Sequence, residues 1–150
     1  MLNKPKISII TVSLNSAGTI RDTIQSIITQ DYDNIEYIVI DGGSVDGTID
    51  IANKYSNHIA YFSSEKDNGI YDGMNKGIQA ATGDIIGILN SDDFYPNSFV
   101  VSNVAKSFER YGCDAIYGDL VYVHASNVSK ITRYWQAGDY SISKIKNGWM

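Results

Sequence analysis

An alternation constrains this chain more than any other feature. Short apolar runs of strand length recur along its 150 residues, and segments with helical spacing lie between them. That is the pattern of an α/β domain with a mixed, largely parallel sheet flanked by helices. "KISIITVSL" (Lys6 to Leu14) reads as a first strand. Ser16 is placed to cap a helix carrying Ile20, Ile24, Ile27 and Ile28 on one face. "EYIVID" (Glu36 to Asp41) is a second strand, unbroken in its apolar residues as expected of one covered on both faces. "GTIDIANKY" reads as a short helix and "HIAYFSS" as a third strand. The spacing predicts a helix over 71–82 with Met74, Ile78 and Ala81 on one side, ended by Gly83. "DIIGILN" is a fourth strand, expected to be buried, and a helix from about 97 to 111 follows with Phe99, Val100, Val104 and Phe108 on its core face. "DAIYGDLVYVHA" and "SKITRYW" form a strand pair of antiparallel character.

The fourth strand raises a physical question. Five of the six residues from Ile85 to Asn90 are apolar or glycine, and the run then meets two adjacent carboxylates, Asp92 and Asp93. Unit charges ~4 Å apart repel by about 1 kcal/mol in water and by about 4 kcal/mol near a protein surface. In an open α/β sheet, ligands sit outside the carboxyl ends of the strands. Three such ends carry polar punctuation here: "SLNS", "DGGSVDGT" and "NSDD". Each has a plain structural reading. Asp46 and Thr48 can satisfy free N–H groups at a helix start, and Asp92 and Asp93 can favour the helix after Pro96 through its dipole. The dipole accounts for one acid better than for two. A divalent cation accounts for both, because it offsets the repulsion and takes hard oxygen ligands; Mg²⁺ or Mn²⁺ would complete its shell with water and phosphate oxygens.

The net charge of -5 sets the chain apart from nucleic-acid binders, which need a basic face. At 43% hydrophobic and 19% charged residues, the sequence reads as one globular domain over 1–150. The single cysteine, Cys113, excludes an internal disulfide, fits a reducing compartment, and reads as a small buried hydrophobe beside a strand. The apolar run of "MLNKPKISIITVSLN" is too short for a signal peptide or a membrane span. The expected place is the cytosol, with attachment at the inner face of a membrane left open. The ending "SKIKNGWM" settles into no helix or strand, and the chain reads as cut.

Taken in order, "IITVSLNS", "IEYIVIDGGSVDGT" and "DNGIYDGMNKGIQAATGDIIGILNSDD" resemble the family-2 glycosyltransferases, inverting enzymes of the GT-A fold that use nucleotide sugars. The likeness runs from about Lys6 to Tyr122, and "GIYDGMNKGI" points to the branch that builds cell-surface polysaccharide. It implies transfer of a sugar from a nucleotide-diphosphate-sugar donor to a hydroxyl of a glycan or lipid-linked acceptor, with inversion. It also implies roles by position. Ser13, Leu14 and Asn15 would border the base, and Asp41 and Gly42 would lie beside the nucleoside. Asp72 and Asn75 would turn toward the donor from the helix that walls the site. Asp92 and Asp93 would match the family's DxD-type acids, one near the ribose and one on a Mn²⁺ or Mg²⁺ ion.

The chain departs from the family pattern in three places. Leu14 stands where many members stack an aromatic residue on the base. Gly42 stands where many carry a second acid that reads uracil, and the two changes count against UDP relative to GDP or dTDP. Asn90 replaces a frequent first acid of the run. The general base of such enzymes is expected beyond Met150, so no catalytic residue is assigned; Asp119 and Asp139 are the nearest acids. A binding fragment that holds the nucleotide sugar without turnover is the alternative reading. Receiver-like or dehalogenase-like phosphotransfer needs acids after the first strand, where "SLNS" stands, and a dinucleotide fold needs G-x-G-x-x-G there. His58 and His124 read as surface or satisfied histidines, and Trp135 and Trp149 as packing. Among the tyrosines only Tyr71 and Tyr95 fall beside the proposed site.

Overall fold

The computed structural model describes residues 4–146. Its contacts gather into two compact units, Met1–Arg110 and Tyr111–Met150.

The first unit is built on four parallel strands in the order β3-β2-β1-β4. They are β1 (Ile7–Ser13), β2 (Ile35–Asp41), β3 (Tyr61–Ser64) and β4 (Ile85–Ile88). Helices α1 (Ile20–Ile28), α2 (Thr48–Asn53) and α3 (Ile70–Ala80) connect them, and α4 (Val100–Tyr111) follows β4. β1 and β2 are the central pair, and every residue of β1 is buried. Alternate side chains therefore feed two cores. Ile7, Ile9, Tyr37 and Val39 pack with Ile20, Ile24 and Ile27 of α1 and with Val101 and Ala105 of α4. Ile10, Val12, Ile38 and Ile40 face the other way, against Met74, Ala80 and Ala81. The register sets Asp41 opposite Ser13 on one side and Ser64 on the other, so three polar residues meet at the carboxyl edge.

A polar clasp closes the opposite edge. Glu36 is buried among apolar neighbours on β2, yet its carboxylate takes Lys6 Nζ at 2.5 Å, Ser8 Oγ at 2.5 Å, Thr82 N at 2.8 Å and Thr82 Oγ1 at 2.6 Å. Burial pushes this carboxyl up, but the four hydrogen bonds outweigh it and hold the pKa at about 2.

Several sequence expectations are corrected here. On α3 the buried residues are Gly73 and Gly77, while Ile78 is exposed. The helix lies too close to β1 for side chains to intervene: a Cβ on Gly77 would stand 2.4 Å from Ile10 Cγ2, and one on Gly73 would stand 3.3 Å from Val12 Cγ1. Gly77→Ala is accordingly expected to destabilise the chain by about 1–2 kcal/mol. Overpacking against a fully buried β-branched residue outweighs the ~1 kcal/mol gain in helix propensity. Urea unfolding checks this, and an unchanged or raised midpoint would contradict the packing.

On α4 the buried residues are Val101, Ser102 and Ala105, and Phe99 is exposed. The approach to this helix is pinned by Asp31 N–H on Ser98 O at 2.8 Å and by Val101 N–H on Gln30 Oε1 at 3.0 Å, which rotates its apolar stripe from the expected phase. α1 starts at Ile20 with Thr19 at its N-cap and no side-chain cap, so Ser16 does not cap it. β4 is not a buried strand among the described residues: it borders the sheet, with Ile86 and Ile88 exposed.

The second unit is the expected antiparallel pair, β5 (Leu120–His124) with β6 (Asn127–Trp135), followed by α5 (Ile142–Lys146). Bulges fall at Tyr122/Val123 and Val123/His124. Trp135 is half-buried, whereas Trp149 lies outside the described residues. Cys113 is half-buried rather than buried. No helix among the described residues is long and apolar enough to cross a membrane.

Candidate functional site

Parallel strands end on one edge of the sheet, and there the loops after β1, β2 and β4 are joined by short polar side chains. Asp41 is the centre of the first joint. It is fully buried, and its Oδ1 accepts Ser13 Oγ at 3.0 Å and Ser44 Oγ at 2.5 Å. Its Oδ2 accepts the N–H groups of Gly43 at 3.1 Å and Ser44 at 2.8 Å, and Ser64 Oγ at 2.7 Å. Burial pushes this carboxyl up, but the hydrogen bonds from Ser44, Ser64 and Ser13 more than compensate and hold it below the usual carboxylate range. All its hydrogen-bonding capacity goes into shaping the loop.

Asn15 ties the first loop to the second. Its backbone adopts a left-handed φ of 50°, a conformation asparagine tolerates better than most residues. Its N–H donates to Ser44 Oγ at 2.7 Å, and its Oδ1 accepts Val45 N–H at 3.0 Å. Asp46 accepts Ala17 N–H at 3.0 Å and Thr48 Oγ1 at 2.6 Å, and Ser16 N–H donates to Thr48 Oγ1 at 2.7 Å. Asp46 Oδ1 also takes Thr48 N–H at 3.1 Å, so Asp46 serves the helix start as the plain structural reading expects, whereas the Thr48 hydroxyl is spent on the neighbouring loop.

The fourth loop is fastened in the same manner. Ser16 Oγ meets Ser91 Oγ at 2.8 Å, and buried Thr23 donates to the carbonyls of Ser91 at 3.0 Å and Asp93 at 2.7 Å. The backbone of the Asp92–Asp93 turn is therefore fixed to α1 while both residues stay at the surface, the Asp93 carboxyl partly sheltered. Neither acid caps α4, whose start is served by Asn97 Oδ1 on Phe99 N–H at 2.9 Å. Partial burial pushes the Asp93 carboxyl up, and the charge of Asp92 pushes it further. Asn90 Nδ2 reaches Asp93 Oδ2 at a weak 3.4 Å, and Asn90 Oδ1 is buried without a hydrogen-bond partner.

Two carboxylates under mutual strain on a fixed turn, beside an orphaned amide oxygen, form a hard-oxygen donor set that suits Mg²⁺ or Mn²⁺ with its remaining positions on phosphate and water. Among the described residues no group of three or more His, Cys, Asp or Glu side chains is arranged to hold a metal. A pair that leaves open positions matches a cation shared with a ligand better than a closed structural site.

The other expected site residues divide. Leu14 is exposed beside Asn15, and Gly42 is buried with its N–H on Ser13 O at 2.8 Å. Asp72 turns back on the start of α3, where Oδ2 accepts Asn68 N–H at 3.0 Å, and it lies 3.6 Å from Lys76 Nζ. Asn75 is exposed, two residues from each buried glycine, on the helix face away from β1. Tyr71 is exposed, while Tyr95 packs against the core. His58 is exposed, and His124 is engaged by Ser126 within its turn. Asp119 accepts Ala137 N–H at 2.9 Å. Sequence reasoning passed over Ser44, Ser91 and Thr23. The recurrence of Ser in the loops of this edge was a weak signal for Ser44 and Ser91, whereas Thr23 lies within α1 and carried none.

Comparison with known proteins bears on the family and the fold. Residues 8–148 match the family model described as Glycosyl transferase family 2. A Bacillus subtilis protein named putative teichuronic acid biosynthesis glycosyltransferase TuaG is 36% identical over 112 residues, 71% of this chain and 44% of the relative. The structure of S. aureus TarS 1-349 in complex with UDP-GlcNAc superposes with a TM-score of 0.68 at 26% identity, covering 73% of this chain and 32% of that one. The mannosyltransferase PcManGT from Pyrobaculum calidifontis, in complex with GDP-Man and Mn2+, gives 0.67 at 25% identity, covering 81% and 36%. The chain spans less than half the length of the curated relatives it matches.

Proposed function

The chain belongs to glycosyl transferase family 2, and we propose that its carboxyl-edge loops form the donor site of a transferase that moves a sugar from a nucleotide diphosphate to a hydroxyl, with inversion, in polysaccharide-type synthesis. The observation that carries this reading is the Asp92–Asp93 pair: two surface carboxylates on a turn fixed by Thr23, neither spent on capping α4. The names of relatives and neighbours support it, since they include a teichuronic acid glycosyltransferase and complexes with UDP-GlcNAc or with GDP-Man and Mn2+.

In this reading Asp93 and Asp92 hold the divalent cation, Mn²⁺ or Mg²⁺. When bound, the cation supplies Lewis-acid neutralisation of the charge on a departing diphosphate. The chain's own residues do the rest of the donor work. Asp41 fixes the loop against which the nucleoside lies, through Ser13, Ser44 and Ser64. Asn15 and Asp46 lock the first loop to the second, so the floor of the site is set before a ligand arrives. The acceptor, a glycan or lipid-linked sugar, would be deprotonated by a general base that none of the described acids is assigned to supply.

The second reading is a nucleotide-sugar-binding unit without turnover of its own, since no described acid is assigned as the base and Asp119 accepts Ala137 N–H. Calorimetric titration with UDP-, GDP- and dTDP-sugars, with and without Mn²⁺, tests the donor site. At least one donor is expected to bind, with the metal strengthening it. Binding by none, or binding indifferent to metal, would defeat the assignment. Product formation by the chain alone, against binding without product, separates the two readings.

A further inference from the structure

Charge is unevenly spread along this chain. Residues 120–150 hold Lys130, Arg133, Lys144 and Lys146 against one acid, Asp139, a net +3; the total of -5 leaves -8 on residues 1–119. The β5–β6 hairpin carries the first two of these cations. Neither Lys130 nor Arg133 meets a carboxylate among the described residues. The hairpin also leaves large apolar side chains in water. Its register sets Leu120 opposite Trp135 and Tyr122 opposite Arg133, so these four share one face. Leu120 is 45% exposed and Tyr122 50%, Trp135 is half-buried, and the Arg133 guanidinium lies 5.4 Å from the centre of the Tyr122 ring. Val121 and Tyr134 are exposed on the opposite face. A two-stranded ribbon is marginal in water unless one face is packed.

The chemistry of the face decides what would cover it. Trp and Tyr rings favour the boundary between lipid headgroups and acyl chains, because each has an apolar body and a polar handle. Lys and Arg beside them are drawn to anionic headgroups, each strengthening the attachment about 5-fold. The negative charge elsewhere in the chain does not prevent this, since salt confines the interaction to charges within about 10 Å of the surface. A second copy of the hairpin would set like charges together. A nucleic-acid duplex would use the cations and leave the aliphatic side chains in water.

We propose that, independently of the donor-site reading, the Leu120–Tyr122–Arg133–Trp135 face of the hairpin docks the chain on an anionic lipid bilayer. The test is sedimentation of the chain with vesicles of phosphatidylcholine alone and of phosphatidylcholine and phosphatidylglycerol in equal parts. Attachment to the mixed vesicles is expected to be stronger by roughly 10-fold or more, and to weaken as salt is raised. Lys130→Gln is expected to lower it by about 5-fold, and Lys130→Gln with Arg133→Gln by about 25-fold. Leu120→Ser, at a half-exposed position, is expected to lower attachment to both kinds of vesicle, which a purely electrostatic contact would not show. Nucleotide binding in the same variants is expected to stay at the parental value, so a lost donor site and a lost docking face are told apart. Lys130→Gln alone stands in if the double variant does not fold. No sedimentation with either vesicle, equal sedimentation with both, or attachment unchanged in the folded Lys130 variants would overturn the proposal. So would tighter binding to duplex DNA than to the mixed vesicles at the same salt, or a dimer in solution that Leu120→Ser dissociates.

Discussion

Asp93→Asn is expected to lose metal-dependent nucleotide binding and to gain stability at the same time. The two effects have one origin. In the folded chain the Asp93 carboxyl is partly buried and faces the charge of Asp92, and both raise its pKa. An acid with a raised folded pKa costs stability when ionised. That cost is absent at low pH, appears as pH rises through the ordinary carboxylate value near 3.9, and is complete once the folded group has also ionised. The asparagine variant without metal should therefore melt slightly above the parent at pH 7, by up to about 4 °C for a destabilising term of ~0.2–1 kcal/mol. The difference should close below about pH 4. Its affinity for Mn²⁺ with nucleoside diphosphate should fall by roughly 100-fold or more, since removing even a supporting group of a metal site costs 10- to 100-fold. Differential scanning fluorimetry and titration calorimetry read the two quantities. A variant that binds as tightly as the parent places the metal elsewhere, and one that is destabilised makes Asp93 a structural acid.

The second large effect lies at the other edge of the sheet and concerns stability alone. Glu36→Ala removes the acceptor for Lys6, Ser8 and Thr82 together. Lys6 is part-exposed and can turn to solvent, but the Ser8 hydroxyl is buried between β1 and the turn that leads into β4. Leaving such donors unpaired costs about 1–3 kcal/mol each, so a loss of about 3 kcal/mol is expected at pH 7. The pH dependence has a definite sign. The folded pKa of about 2 lies below the unfolded value near 4.3. The ionised group therefore contributes fully above about pH 5, and the contribution is lost as pH falls through 4 toward 2. Linkage from this shift sets an upper value near 3 kcal/mol, and the exposure of Lys6 brings it to about 2 kcal/mol. Urea unfolding of the parent and of Glu36→Gln across pH 2 to 7 should show a gap that narrows on the acid side. A gap constant with pH would mean that the carboxylate's charge does no stabilising.

Much of the fold is written locally. β1 and β2 are legible because strands covered on both faces carry continuous apolar runs, as "YIVI" does within β2. The paired helices and the hairpin follow from spacing. The misjudged features share one cause, which is that the information is tertiary. α3 packs through Gly73 and Gly77, and a search for apolar periodicity passes over a residue whose contribution is the absence of a side chain. The phase of α4 is set by Gln30 and Asp31, some seventy residues earlier in the chain. β4 carries isoleucines that suggest burial, but nothing in a strand's own sequence tells whether its outer side is covered.

The same division runs through the site. Asp92 and Asp93 stand out because two adjacent acids after an apolar run are costly without a partner. Asp41, expected beside the nucleoside, was legible as an important acid, while its five hydrogen bonds give it the further task of organising the loop. Ser44 and Ser91 did not stand out because Ser in turns is common for purely local reasons, and Thr23 did not because it sits inside a helix.

The central claim is that a divalent cation sits on the Asp92–Asp93 turn and joins it to a nucleotide's phosphates. It is tested most directly by anomalous diffraction at the manganese edge from crystals grown with Mn²⁺ and a nucleoside diphosphate. The account predicts a peak about 2.1 Å from a carboxylate oxygen of Asp93 or Asp92, shared with the diphosphate. Bound nucleotide with no such peak at the turn, or a peak ligated by other residues, would contradict it.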